Sequence, residues 1–162
     1  MASILKVNTI QDATNSNTAM SIDSSGRVQL PQLVHFHGNR VGLSDEERSG
    51  VVNYNVVRDS HSGWNSSNHQ YTIPVAGVYH IGFNNLGHTG VDTSDQNHKL
   101  QFVRGGSTTD IAWCYQSNDA TYEQVSLAIT YYFQVSDLVQ MNNVSGAVRA
   151  NYYNTFSICL MG

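Results

Sequence analysis

Charge is scarce in this chain. Asp, Glu, Lys and Arg make up 12% of its 162 residues, with eight cations against twelve anions for a net charge of −4. No basic block interrupts the sequence, which excludes the electrostatic footprint needed to bind nucleic-acid phosphates. Long apolar runs are absent, and none approaches the roughly 20 residues that a membrane-spanning helix requires. The start, Met1-Ala2-Ser3-Ile4-Leu5-Lys6, leads into polar sequence rather than the apolar core of a secretory signal. The expectation is a protein made in a cytoplasm, without membrane insertion. Cysteine occurs twice. Without a secretory route, Cys114 and Cys159 read as buried thiols rather than a disulfide, and their spacing matches no metal motif.

Catalytic signatures are missing too. There is no Gly-x-Ser-x-Gly, no His-Glu-x-x-His and no phosphate-cradling loop. The chain reads as a non-enzyme with no cofactor and no catalytic residue. Its seven histidines give no ligand set: His35 and His37 share a strand face, but no Cys or carboxylate sits at a useful offset. His61, His69, His88 and His98 fall in or beside polar loops, and His80 faces away from its apolar neighbours. Asp92 and Asp95 are the calcium candidates, in a loop dense with oxygen ligands, although the spacing is not that of an EF-hand.

What the chain has is alternation. Leu33 to His37, Val51 to Val57, Tyr71 to Ile73, Val78 to Phe83, Lys99 to Val103, Asp110 to Tyr115, Val125 to Phe133, Leu138 to Met141 and Thr155 to Met161 all read as strands. In the longest, Val125, Leu127, Ile129, Tyr131 and Phe133 fall at period two, which a helix would not align. Gly105-Gly106 between apolar runs signals a hairpin. No helix is expected. A domain of this size removes roughly 70% of its unfolded surface from water, so it can build a core without staples.

Two regions follow: an N-terminal attachment segment, 1–30, of short β-like pieces, and a trimerising head, 31–162. Nine tyrosines are more than one small core needs, and tyrosine suits subunit contacts because its body is apolar and its tip polar. Tyr115, Tyr131, Tyr132, Tyr152 and Tyr153 are the candidates for a threefold interface, with Tyr122 beside them. Either tryptophan could stack on sugar rings or sit in the core; core is favoured for Trp113, and Trp64 is the candidate to stack on a receptor or glycan.

Tyr71-Thr72-Ile73-Pro74-Val75-Ala76-Gly77-Val78-Tyr79-His80-Ile81-Gly82-Phe83 resembles a strand pair of the complement-one-q globular head. Lys99 to Gly106, Val125 to Met141, and Asn154-Thr155-Phe156-Ser157-Ile158-Cys159-Leu160-Met161 resemble its later strands in order. The resemblance covers residues 31–162. It implies an all-β, ten-stranded jelly-roll β-sandwich of the complement-one-q and tumour necrosis factor type, packed as a homotrimer. No collagen-like Gly-x-y repeat precedes the head, so a secreted complement-like ligand ranks below the other readings.

Ser3-Ile4-Leu5-Lys6-Val7-Asn8-Thr9-Ile10-Gln11 and Ala19-Met20-Ser21-Ile22-Asp23-Ser24-Ser25-Gly26-Arg27-Val28 resemble a leader of virion proteins of tailed bacteriophages. That resemblance implies a structural component of a phage particle: a decoration protein of the capsid, a tail fibre or a tail-associated spike. Ile4, Leu5, Val7, Ile10, Ile22 and Val28 would dock it to other virion proteins. The second reading is a receptor- or glycan-binding module of a tail fibre, contacting a host cell surface.

Overall fold

The computed structural model describes residues 7–14, 16, 18–30, 32–44, 46–47, 50–87, 95–117 and 123–161. Among them there is no helix, and the strands pair antiparallel throughout. The chain divides into two compact units, Met1–Leu33 and Val34–Gly162.

The first unit is a three-stranded meander of β1 (Thr9–Gln11), β2 (Thr18–Ile22) and β3 (Val28–Gln29). Asp23 closes the last turn. Its carboxylate accepts the backbone N–H groups of Ser25 at 2.9 Å and Arg27 at 3.0 Å, and the Arg27 side chain at 2.7 Å. These bonds, chiefly the one from the Arg27 backbone, hold its carboxyl below the usual carboxylate range. Gly26 supplies the positive φ of 78° that the turn needs.

The second unit holds β4 (His35–Asn39), β5 (Glu46–Glu47), β6 (Gly50–Val51), β7 (Asn55–Asp59), β8 (Trp64–Asn65), β9 (Gln70–Thr72), β10 (Gly77–Leu86), β11 (Gln96–Arg104), β12 (Ser107–Gln116), β13 (Gln124–Phe133), β14 (Leu138–Ser145), β15 (Ala147–Val148) and β16 (Thr155–Leu160). One sheet has the order β13-β10-β16-β4-β7. The other runs β12-β11-β14-β9-β8, with β6 also on β14, and β15 pairs with β5. From β10 onward the chain passes between the sheets, as a jelly roll does. Arg104 turns into Ser107 through Gly105 and Gly106, both at positive φ, which makes the anticipated tight hairpin.

The stretch from Val51 to Val57 is not one strand. The Val52 N–H bonds the Met141 carbonyl at 2.9 Å, tying the first part to the second sheet. Asn55 pairs with Asn39 in the first sheet. The segment therefore crosses between layers, and Val52 and Tyr54 plunge into the core at the crossing. Val56 and Val57, beyond it, are exposed.

Aromatic rings join the layers. Phe36 and Phe156 of the first sheet meet Trp64 and Tyr71 of the second. Phe36 stacks on Trp64 with centroids 5.0 Å apart and lies 5.1 Å from Tyr71, while Phe156 is 5.9 Å from Phe36 and 5.5 Å from Tyr54. Toward the other end of β10, Tyr79, Phe102 and Tyr131 surround Phe133 at 5.0–6.0 Å. Buried side chains of this size each contribute roughly 1.5–3 kcal/mol by leaving water.

Polar groups are also enclosed. The fully buried Arg40 donates to the carbonyls of Asn53 (2.8 Å), Ser44 (2.6 Å) and Arg149 (3.3 Å), pinning three backbone segments. Buried Asp137 accepts both Arg104 Nε (2.7 Å) and Nη2 (2.5 Å), and the N–H of Gln134 (2.8 Å). The Arg104 hydrogen bonds keep its carboxyl below the ordinary range. His98, by contrast, was expected near a polar loop but is fully buried on β11, and neither ring nitrogen has a hydrogen-bond partner.

Burial pushes the His98 imidazole down from its ordinary 6.5 to about 4. The unfolded chain therefore takes up a proton on this side chain at a higher pH than the folded one. Stability should fall as pH drops from about 6.5 to about 4, by on the order of 3 kcal/mol, and this contribution should level off below that. Protonation of Asp137 adds a second loss at still lower pH, because its folded carboxyl titrates below the unfolded one. Urea unfolding at graded pH checks this: His98→Gln should flatten the profile between pH 6.5 and 4, and an unchanged profile would count against the assignment.

Candidate functional surfaces

Alternation along β4, β10, β13 and β16 presents every second side chain to the outside of the five-stranded sheet. The register aligns them in rows. Thr130, His80, Cys159 and His35 form one, and Ala128, Gly82, Ser157 and His37 the next. Across this face the full charge among the described residues is Arg58, opposite His37. Desolvation, helped by Arg58 and His37, lowers the pKa of His35 and so favours its neutral form. Small side chains at the centre leave a shallow groove of about 220 Å³ lined by Gly82, Asn84, Ser126, Ala128, Thr155 and Ser157. Tyr132 stands at the β13 edge, 56% exposed. The face is chemically fit for packing against protein: it is poor in charge, grooved, and edged by a large amphipathic ring.

The five tyrosine candidates are exposed to differing degrees but do not share one surface. Tyr132 belongs to the face just described. Tyr131, next to it, points inward at the open edge and packs on Phe102 and Phe133, 5.7 and 5.0 Å away. Tyr115 lies on the outside of the other sheet, with its hydroxyl donating to Asp95 at 2.5 Å. Tyr152 and Tyr153 sit in the turn before β16, ring centroids 4.4 Å apart and hydroxyls 3.0 Å apart, beside a hollow of about 500 Å³ walled by Leu86, Arg149, Ala150 and Asn151. Tyr122 lies outside the described residues.

The roles anticipated for the tryptophans are reversed. Trp64 is half-buried and packed against the core, one ring face on Phe36 and its edge near Tyr54 and Phe156, which leaves less of its indole open to a ligand than a surface residue would offer. Trp113 is the exposed one, at 57%. The physical reason is register: Ala112 and Cys114 pack toward the core, so Trp113 between them must point out. The same alternation was present in the sequence and would have found it. The cysteines are thiols rather than a disulfide, as expected, but are less buried than expected. Both are free and only half-buried, and burial pushes the Cys114 thiol up to about 11, which leaves it a poor nucleophile.

Among the described residues, no three His, Cys, Asp or Glu side chains gather into a metal-holding group. Asp92 lies outside the described residues, as do Ile4 and Leu5. Asp95 takes the Tyr115 hydroxyl on its carboxylate and the Ser145 hydroxyl on its carbonyl. In the N-terminal unit, Ile10 and Val28 are exposed, with Leu30 as well, whereas Val7 and Ile22 are half-buried.

No protein-family model matches the sequence, and comparison with curated protein sequences finds no match. Solved structures do match. Murine APRIL is similar with a TM-score of 0.64 at 12% identity, over 80% of this chain and 100% of that one. The Eiger tumour necrosis factor of S. frugiperda gives 0.67 at 11%, over 80% and 93%. The globular domain of zebrafish complement 1qA gives 0.61 at 15%, over 80% and 98%. What is shared at such identities is the fold: this chain is an all-β jelly roll of the tumour necrosis factor and complement-one-q type.

Proposed function

We propose that this chain is a non-enzymatic structural protein of a bacteriophage particle, a homotrimer displayed at the surface and docked through residues 1–30. The observation that carries self-association is the outer face of the five-stranded sheet. A sheet face turned permanently to water is normally studded with charge, whereas here Arg58 is the full charge among the described residues and Tyr132 flanks a groove of small side chains. Depletion of charge around aromatic anchors is the composition of an interface centre. Closed threefold symmetry would cover the face identically on every copy and leave no open-ended contact, in keeping with the complement-one-q resemblance.

The virion setting is supported by the leader-like sequence from Ser3 to Val28. It is supported further by the meander of Thr9–Gln11, Thr18–Ile22 and Val28–Gln29, a small unit in which Ile10, Val28 and Leu30 remain exposed. A head that assembles and an N-terminal piece that anchors need no catalytic group.

Native mass spectrometry should give three times the chain mass. Ala128→Arg, which puts a charge into the groove wall, should shift the protein to monomer with its far-ultraviolet circular dichroism unchanged; a wild-type chain that stays monomeric at micromolar concentration would sink this reading. A chain lacking residues 1–30 should still assemble yet be missing from purified particles, as read by peptide mass spectrometry. Undiminished incorporation would remove the anchor assignment.

A further inference from the structure

The outer face of the other sheet is built differently. A line of side-chain hydrogen bonds crosses four of its strands. Gln70 Nε2 donates to Gln140 Oε1 at 2.5 Å, Gln140 Nε2 to Gln101 Oε1 at 2.8 Å, and Gln101 Nε2 to Asp110 Oδ1 at 2.6 Å. The second carboxylate oxygen of Asp110 receives Lys99 Nζ at 2.7 Å, and that ammonium lies 4.1 Å from the centre of the Trp113 ring. The Trp113 indole N–H donates to Asn97 Oδ1. Two residues on, Tyr115 is fixed by its bond to Asp95. Gln101 and Gln140 are more than nine-tenths buried, so the line is anchored in the protein rather than draped over it.

The line ends in two exposed rings whose orientations are set by polar partners. Lys99 covers one face of the Trp113 indole, yet more than half of the residue remains in contact with water, so the opposite face is open. Ordering a large ring while leaving it wet forfeits both rotamer freedom and the gain from burial. It is the arrangement of a stacking platform held ready for a ligand.

The groups around the ring define that ligand. A pyranose offers an apolar C–H face to stack and a rim of hydroxyls that need both donors and acceptors. Asn97, Lys99, Asp95 and Asp110 supply both beside Trp113. Among the described residues, the one ammonium of Lys99 against the carboxylates of Asp95 and Asp110 makes the patch slightly negative, which disfavours anionic sugars. The same carboxylates make it a poor centre for contact between copies, since interface cores are depleted in charge.

We propose that Trp113, with Tyr115 and the Asn97–Lys99 row, is a binding site for neutral carbohydrate. The full chain should bind at least one oligosaccharide on an array printed with neutral glucose, mannose, galactose and N-acetylglucosamine oligomers, with sialylated and sulfated glycans as the acidic arm. Trp113→Ala should lower the apparent affinity roughly tenfold or more, the loss typical of an aromatic anchor, at unchanged circular dichroism and oligomeric state. Trp113→Tyr should retain most of the binding and stands in if the alanine variant does not fold. Because Trp64 packs against the core, away from the Trp113 row, the indole fluorescence change on adding the bound oligosaccharide should vanish in Trp113→Tyr. Absence of binding to every neutral glycan, binding to the acidic arm alone, undiminished binding by both variants, or a changed oligomeric state in Trp113→Ala would each overturn the proposal.

Discussion

The contact between Phe36 and Phe156 of one sheet and Trp64 and Tyr71 of the other is the constraint on which the head depends. These rings come from segments far apart in sequence, and none can be buried until both layers are in place. The cluster therefore couples sheet formation to sheet packing. It also explains why Tyr54 must leave its strand direction to join Phe156, and hence why the chain between β6 and β7 is broken rather than straight. Arg40 completes the same region by satisfying the Asn53 carbonyl of this crossing and tying it to the carbonyls of Ser44 and Arg149.

Once the inner faces are committed to that core, the two outer faces are free to diverge, and they do. The five-stranded sheet turns out Thr, Ser, Ala, Gly and His side chains. The other sheet turns out a hydrogen-bonded series of glutamines that ends at a charged pair and two aromatic rings. A surface poor in charge gains from being covered, and a surface with organised donors, acceptors and an open ring gains from meeting a polar ligand. In the proposed reading, one face would serve assembly and the other recognition, without competition between them.

The strand pattern was legible because period two is a local property. Val125 to Phe133 and Val78 to Phe83 are strands of this register, and Gly105-Gly106 forms the tight turn those residues demand. The candidate sites were less legible. Nine tyrosines suggested one interface, but the sequence holds no information on which sheet a strand joins, so Tyr115 and Tyr132 fall on opposite layers. The tryptophans were misassigned for a related reason. Trp64 lies in a loop-like stretch of Ser, Asn and Gly, yet β8 and the stacking of Phe36 draw it inward.

Alternation and turn chemistry, both properties of neighbouring residues, determined by themselves that this is an all-β chain of short strands; the jelly-roll type entered through the resemblance to the complement-one-q head. The tertiary structure alone decided which side chains meet: the row of His80, Cys159 and His35, the unpartnered burial of His98, and the line from Gln70 to Trp113. Each of these joins strands separated by tens of residues. Their proximity follows from antiparallel register and sheet order, which are fixed by packing of the whole core and not by any local stretch of sequence.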